Sequence, residues 1–116
     1  MIVSDSFVIA DWTDPGNHPG RPIAPPHIHR SDDEAWFVLE GRLGFRVGEE
    51  EREVAAGESM LVPRGTAHSY WNPTSEPARY LLVMTPRIHR LIEALHTGDR
   101  DDYARIFEEH DSELLA

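Results

Sequence analysis

Gly20-Arg-Pro-Ile-Ala-Pro-Pro-His27-Ile-His29-Arg-Ser-Asp-Asp-Glu34-Ala-Trp-Phe-Val-Leu-Glu-Gly41 is the stretch on which the reading of this chain turns. Side chains alternate faces along an extended strand, so His27 and His29 project to the same side. A second stretch, Gly57-Glu-Ser-Met-Leu-Val-Pro63-Arg-Gly65-Thr-Ala-His68-Ser-Tyr-Trp-Asn72, supplies one more histidine. Together His27, His29, Glu34 and His68 make a coordination shell for one metal ion. A mixture of imidazole nitrogens and one hard carboxylate oxygen suits Fe, Mn, Co, Ni, Cu or Zn rather than Ca or Mg.

These two stretches resemble the paired motifs of the cupin superfamily. The second fits that pattern at every spacing, with a glycine followed by Pro63, Gly65, His68 and Asn72. The first carries one extra residue between Gly20 and His27, in a loop where an insertion is readily absorbed. The resemblance covers residues 20–86 and implies an all-β cupin barrel, a jelly-roll-like double-stranded β-helix with one divalent metal ion inside. The tail beyond Thr85-Pro86 is similar in composition to that of small quercetin-dioxygenase-like cupins.

Length and composition bound the answer to one domain spanning residues 1–116. A chain of this size buries roughly two thirds of its unfolded surface, enough for one core but not two. Hydrophobic residues make up 40% of it without any low-complexity run, which argues for a folded protein. No apolar stretch approaches the ~20 residues needed to cross a bilayer. Met1-Ile-Val-Ser-Asp5 has no basic region ahead of an apolar one, so the expected location is cytoplasmic, with no membrane partner.

Two absences narrow the chemistry. There is no cysteine, which excludes disulfides, thiolate nucleophiles and sulfur-ligated metals. All eleven basic residues are arginine, so no lysine is present for Schiff-base catalysis. The net charge of −10 would repel phosphates, and no arginine cluster offsets it, so nucleic acid is not an expected partner. Much of the acidity lies in Glu49–Glu51 and in the segment 99–113, which read as a hairpin tip and a solvated helix face.

Strand signals dominate as far as Pro86, the expected extent of the barrel. Phe7-Val-Ile-Ala10 opens the pattern, and a Pro- and Gly-rich loop is expected over 14–26. Glu34–Glu40, Leu43–Val47, Glu53-Val54, Met60–Val62, Ala67–Trp71 and Arg79–Thr85 follow as strands. Turn residues every eight or so positions are the mark of an antiparallel sandwich or barrel. The last thirty residues, about 87–116, change period and predict two short helices. Ile88, Leu91, Ile92 and Leu95 share one helical face that Gly98 ends, and Tyr103, Ile106, Phe107 and Leu114 mark another. These helices are expected to lie as a lid or brace against the outside of the barrel.

Strand parity fills in the pocket. With Glu34 inward, Trp36 and Val38 also point in, while Phe37 and Leu39 point out. His68 shares its side with Tyr70 and Asn72, leaving Trp71 on the other. The expected substrate-facing wall is Trp36 and Tyr70 with Phe45 and Met84, an apolar and aromatic lining suited to a small organic molecule. Tyr70 reads either as a hydrogen-bond donor to substrate or as a tyrosine that only packs. His18, His89, His96 and His110 read as loop or helix-surface residues. Large apolar side chains at the outward positions Phe37, Leu39 and Trp71 predict a homodimer.

Three functions remain open on this site. The first is a metal-dependent dioxygenase acting on a small enol, phenol or β-diketone-like compound, in which the resemblance gives Glu34 the dual role of ligand and proton acceptor. The second is a polyketide cyclase or sugar isomerase using the ion as a Lewis acid, with Glu34 and Tyr70 moving protons. The third is a cupin that binds a small molecule without turnover.

Overall fold

Strict alternation in Glu34–Glu40 sets the architecture: Glu34, Trp36 and Val38 are buried on one side, whereas Phe37 is 40% exposed on the other. The computed structural model describes residues 1–115. The chain runs β1 (Ile2–Val3), β2 (Val8–Asp14), β3 (Pro22–His29), β4 (Glu34–Glu40), β5 (Arg42–Val47), β6 (Glu50–Ala55), β7 (Ser59–Val62), β8 (His68–Trp71) and β9 (Ala78–Met84). Then come α1 (Pro86–Thr97), α2 (Tyr103–Glu109) and β10 (Ser112–Leu114). Two five-stranded antiparallel sheets result, ordered β1-β2-β9-β4-β7 and β10-β3-β8-β5-β6.

Consecutive strands β4 and β5 belong to different sheets, so the chain must cross between them within a tight turn at Gly41. Gly41 has φ 76°, and a Cβ there would run into the Pro77 carbonyl oxygen. Inward side chains of both sheets interdigitate in one core that includes Trp36, Val38, Leu43, Phe45, Leu82 and Met84. Trp36 packs edge-on against Phe45 and Tyr70, with ring centroids 5.1 and 5.3 Å away. On the outer face of the second sheet, Trp71 lies across Gly44, where a Cβ would collide with the indole. The expected all-β barrel with two C-terminal helices is the observed fold.

Three local expectations are corrected. The loop expected over 14–26 ends early, because β3 begins at Pro22. Its prolines lack N–H donors, so the ladder to β8 is interrupted by register shifts on either side of Ala24. Leu114 does not lie on a helical face: α2 stops at Glu109, Asp111 adopts φ 54°, and the chain reverses into β10 against β3. The backbone N–H of Arg30 donates to the Asp111 carbonyl (2.9 Å), which fastens that reversal. Finally, Trp71 belongs to the opposite sheet from Phe37 and Leu39, so the three do not form one outward patch.

Helix α1 starts where Thr85 accepts a hydrogen bond from Ile88 N and Pro86 occupies the first turn. It ends at Gly98, as expected. Ile88 joins the main core, while Leu91, Ile106 and Phe107 form a second apolar cluster. The helices therefore wall an opening into the barrel rather than bracing its outer surface.

Candidate metal centre and cavity

Strands β3, β4 and β8 deliver the four candidate ligands to one place. His27 and His29 sit two apart on β3, Glu34 opens β4, and His68 opens β8 directly opposite His27. All four are buried, and their ligand atoms lie within 4.8 Å of one another. The group can hold a metal ion.

Hydrogen bonding supports that fit. His27 Nδ1 donates to the Pro25 carbonyl (2.6 Å) and His68 Nδ1 to the Thr66 carbonyl (2.9 Å). A carbonyl only accepts, so in the neutral rings the Nε2 atoms carry lone pairs. Yet His68 Nε2 faces Glu34 Oε1 at 3.1 Å, and His27 Nε2 faces His29 Nε2 at 3.1 Å. His29 Nε2 is 2.9 Å from the same Glu34 oxygen. Lone pairs turned on one another and on a buried carboxylate repel, and positive charge between them removes the repulsion.

Electrostatics agree with ligand duty. Burial, together with the neighbouring His68 and His29, depresses the His27 imidazole to about 4, so it is neutral near pH 7. Burial alone would raise the Glu34 carboxyl, but its contacts to His29 and His68 outweigh that and hold it at about 2. Three neutral or shared imidazoles around one anion match a divalent transition ion.

A cavity of about 440 Å³ opens onto this cluster. His27, His29 and Glu34 reach its surface, with His68 set behind them. Around them stand Trp12, Trp36, Tyr70, Tyr80, Leu82 and Ile23 from the barrel, and Ile88, Leu91 and Phe107 from the helices. Of the four residues expected to face substrate, Trp36 and Tyr70 do so. Phe45 and Met84 are packed in the core instead, Phe45 stacked on Tyr70 at 5.6 Å. Parity placed both correctly on the inner face, but inward is not the same as cavity-lining.

The sequence gave no warning of Tyr80, whose hydroxyl is 3.1 Å from that of Tyr70. Burial lifts the Tyr80 phenol to about 12 and the Tyr70 phenol well above its ordinary 10, so both are neutral hydrogen-bonding groups. Trp36 Nε1–H is buried without an acceptor among the described residues. Asn72, on the His68 side as expected, does not reach the cluster. Its amide instead ties Asp14 Oδ2 (3.1 Å) and the Glu76 carbonyl (2.7 Å), closing the loop ends. Of the other histidines, His89 meets Glu93 on α1 and His110 caps Ile106 O, while His96 is exposed but touches the outer end of the cavity.

Comparison with known proteins places this geometry. The cupin domain family profile matches residues 17–84. An uncharacterized protein of Streptomyces coelicolor is 41% identical over 61 residues, covering 53% of this chain and 54% of its own length. The tetracenomycin polyketide synthase protein TcmJ of Streptomyces glaucescens is 32% identical over 68 residues, covering 59% of this chain and 45% of that protein. The chain thus spans about half the length of these curated relatives. Among solved structures, TT1209 from Thermus thermophilus superposes with a TM-score of 0.64 at 30% identity, over 73% of this chain and 77% of that one. With its two crossed sheets, its buried three-histidine and glutamate cluster and a profile match over most of the barrel, this chain belongs to the cupin family.

Proposed function

We propose that this protein is a metal-dependent enzyme acting on a small, largely apolar, enolisable oxygen compound, and that the reaction is a dioxygenation. The observation that carries the reading is the cavity: about 440 Å³, walled by aromatic and aliphatic side chains, with ionisable groups gathered at His27, His29 and Glu34. A bound Fe, Ni, Mn, Co, Cu or Zn ion would polarise a substrate oxygen and, for the redox-active metals, support chemistry with O₂.

The residues divide the remaining work. His27, His29 and His68 hold the ion through Nε2. Glu34 turns Oε1 toward His29 and His68, and its other oxygen makes no hydrogen bond among the described residues, which leaves it available for a substrate hydroxyl proton. Tyr70 and Tyr80, neutral and linked, orient the ligand by donating hydrogen bonds. A ligand carbonyl or enol oxygen near Trp36 would relieve its unpartnered N–H. Leu82, Ile88, Leu91 and Phe107 exclude water around the reacting atoms.

Metal content after purification without added metal, followed by oxygen uptake on the metal-loaded protein, tests the reading. Consumption of O₂ with flavonols or other enolisable diketones, and loss of most turnover in Glu34→Gln with substrate binding retained, are the expected results. Turnover of a carbonyl substrate without O₂ would replace dioxygenation by cyclisation or isomerisation. That second reading is favoured by the likeness to TcmJ, a polyketide synthase protein. Tight ligand binding with no turnover under any metal would leave a binding cupin.

A further inference from the structure

Ser112 lies 83 residues after His29 in sequence, yet its Oγ is 2.7 Å from His29 Nδ1. Both side chains are buried, Ser112 completely. The same hydroxyl reaches the His110 carbonyl at 3.1 Å. A serine has one O–H, and a carbonyl oxygen can only accept. When the serine proton goes to His110 O, the lone pairs of Oγ accept from His29 Nδ1–H, and His29 Nε2 is left bare toward His27 and Glu34. The chain of donors thus runs His29 Nδ1–H, Ser112 Oγ–H, His110 C=O.

The backbone holds the serine there by several independent contacts. Ser112 pairs in register with His29 across β10 and β3. Arg30 donates from its backbone N–H to the Asp111 carbonyl (2.9 Å) and from Nη1 to the Ser112 carbonyl (3.1 Å). Arg30 Nη2 also meets Glu108 at 2.9 Å, which ties the end of α2 to the same point. A hydroxyl held this firmly does not wander among rotamers.

We infer that Ser112 is a positioning residue for His29, fixing its ring orientation and tautomer so that Nε2 is presented for ligation. The inference rests on the metal reading of the cluster. It makes the C-terminal strand a working part of the site, because β10 completes the hydrogen-bonded support of a ligand that the barrel strands cannot supply. His27 and His68 obtain theirs locally, from carbonyls two residues before them. Partners of this kind commonly change metal affinity 10–100-fold.

The test is Zn²⁺ affinity by chelator competition on the full chain, with metal-free thermal melts as a fold control. Ser112→Ala is expected to weaken Zn²⁺ by roughly 10–100-fold, and Ser112→Thr, which keeps the hydroxyl, to recover most of it. In ¹⁵N-histidine-labelled, Zn²⁺-loaded protein, the His29 Nδ1–H should be protected from exchange in the wild type and lose that protection in Ser112→Ala. Equal affinities for wild type and Ser112→Ala, or an equal loss in both variants, would overturn the inference while leaving the metal site intact. No Zn²⁺ binding by the wild type would overturn the metal reading itself and this inference with it. Should Ser112→Ala fail to fold, the wild-type spectrum decides: an unprotected His29 Nδ1–H overturns the assignment.

Discussion

The ring of Phe107, on the second C-terminal helix, lies 5.4 Å from the imidazole of His27. A residue outside the barrel strands therefore touches a candidate metal ligand, and the helical tail forms part of the site's wall. Phe107 is 2% exposed, so its truncation would open a cavity and admit water to the cluster. Phe107→Ala is expected to cost about 3–5 kcal/mol of stability if the tail packs as described. Chemical denaturation measures it, and a change within 0.5 kcal/mol, roughly that of an exposed position, would contradict the packing.

Metal stoichiometry should respond unequally to the four ligands. His27→Ala or His68→Ala is expected to abolish stoichiometric binding, since each removes a nitrogen whose partner groups stay in place. Glu34→Gln keeps an amide oxygen and should weaken binding less. Elemental analysis of purified variants gives the answer, and full occupancy in a His27→Ala/His68→Ala double variant would refute the site.

The stability of the metal-free protein should fall as acid is added, for a reason located at His27. Its folded value is about 4 against an ordinary 6.5, so the unfolded chain takes up the proton first. The stabilisation is present above pH 6.5 and is lost progressively as pH falls toward 4, amounting to at most about 3 kcal/mol. Thermal melts across that range should show a smaller slope in His27→Asn than in wild type.

Tyr70 and Tyr80 share one hydrogen bond, so their removal should not be additive. Tyr70→Phe and Tyr80→Phe are each expected to cost about 1 kcal/mol of stability or transition-state binding. The double variant should cost clearly less than the two together, because the second change removes a bond already lost. Additive losses would mean that the hydroxyls act on separate partners.

A homodimer is the expected assembly, seated on the first sheet. Ile2, Ile9, Val83, Ala35 and Leu61 stand opposite one another across its five strands and form one apolar outward row, with Leu61 60% exposed. Phe37 lies beside it. Light scattering should give twice 13.2 kDa, and Leu61→Asp should shift the mass toward the monomer. A wild-type mass of 13.2 kDa at micromolar concentration would remove the dimer.

The sequence by itself determined the barrel and its four candidate ligands, because both depend on short-range patterns. The period of two in Glu34–Glu40 sends Glu34 and Trp36 inward, and the spacing of His27 and His29 puts two imidazoles on one face. The α1 helix was legible for the same reason, with a capping threonine, an early proline and a terminal Gly98. What only the tertiary structure decided involves partners far apart in the chain. The strand β10 has three residues and exists because β3 offers an edge and Arg30 holds the reversal at Asp111. A segment so short carries no usable period of its own. Likewise parity sends Phe45, Met84 and Tyr70 inward alike, but whether an inward side chain meets a cavity or another side chain depends on what the opposite sheet places against it. Tyr80 meets the cavity and Phe45 meets Trp36, a difference set by packing between sheets rather than by any feature local to either residue.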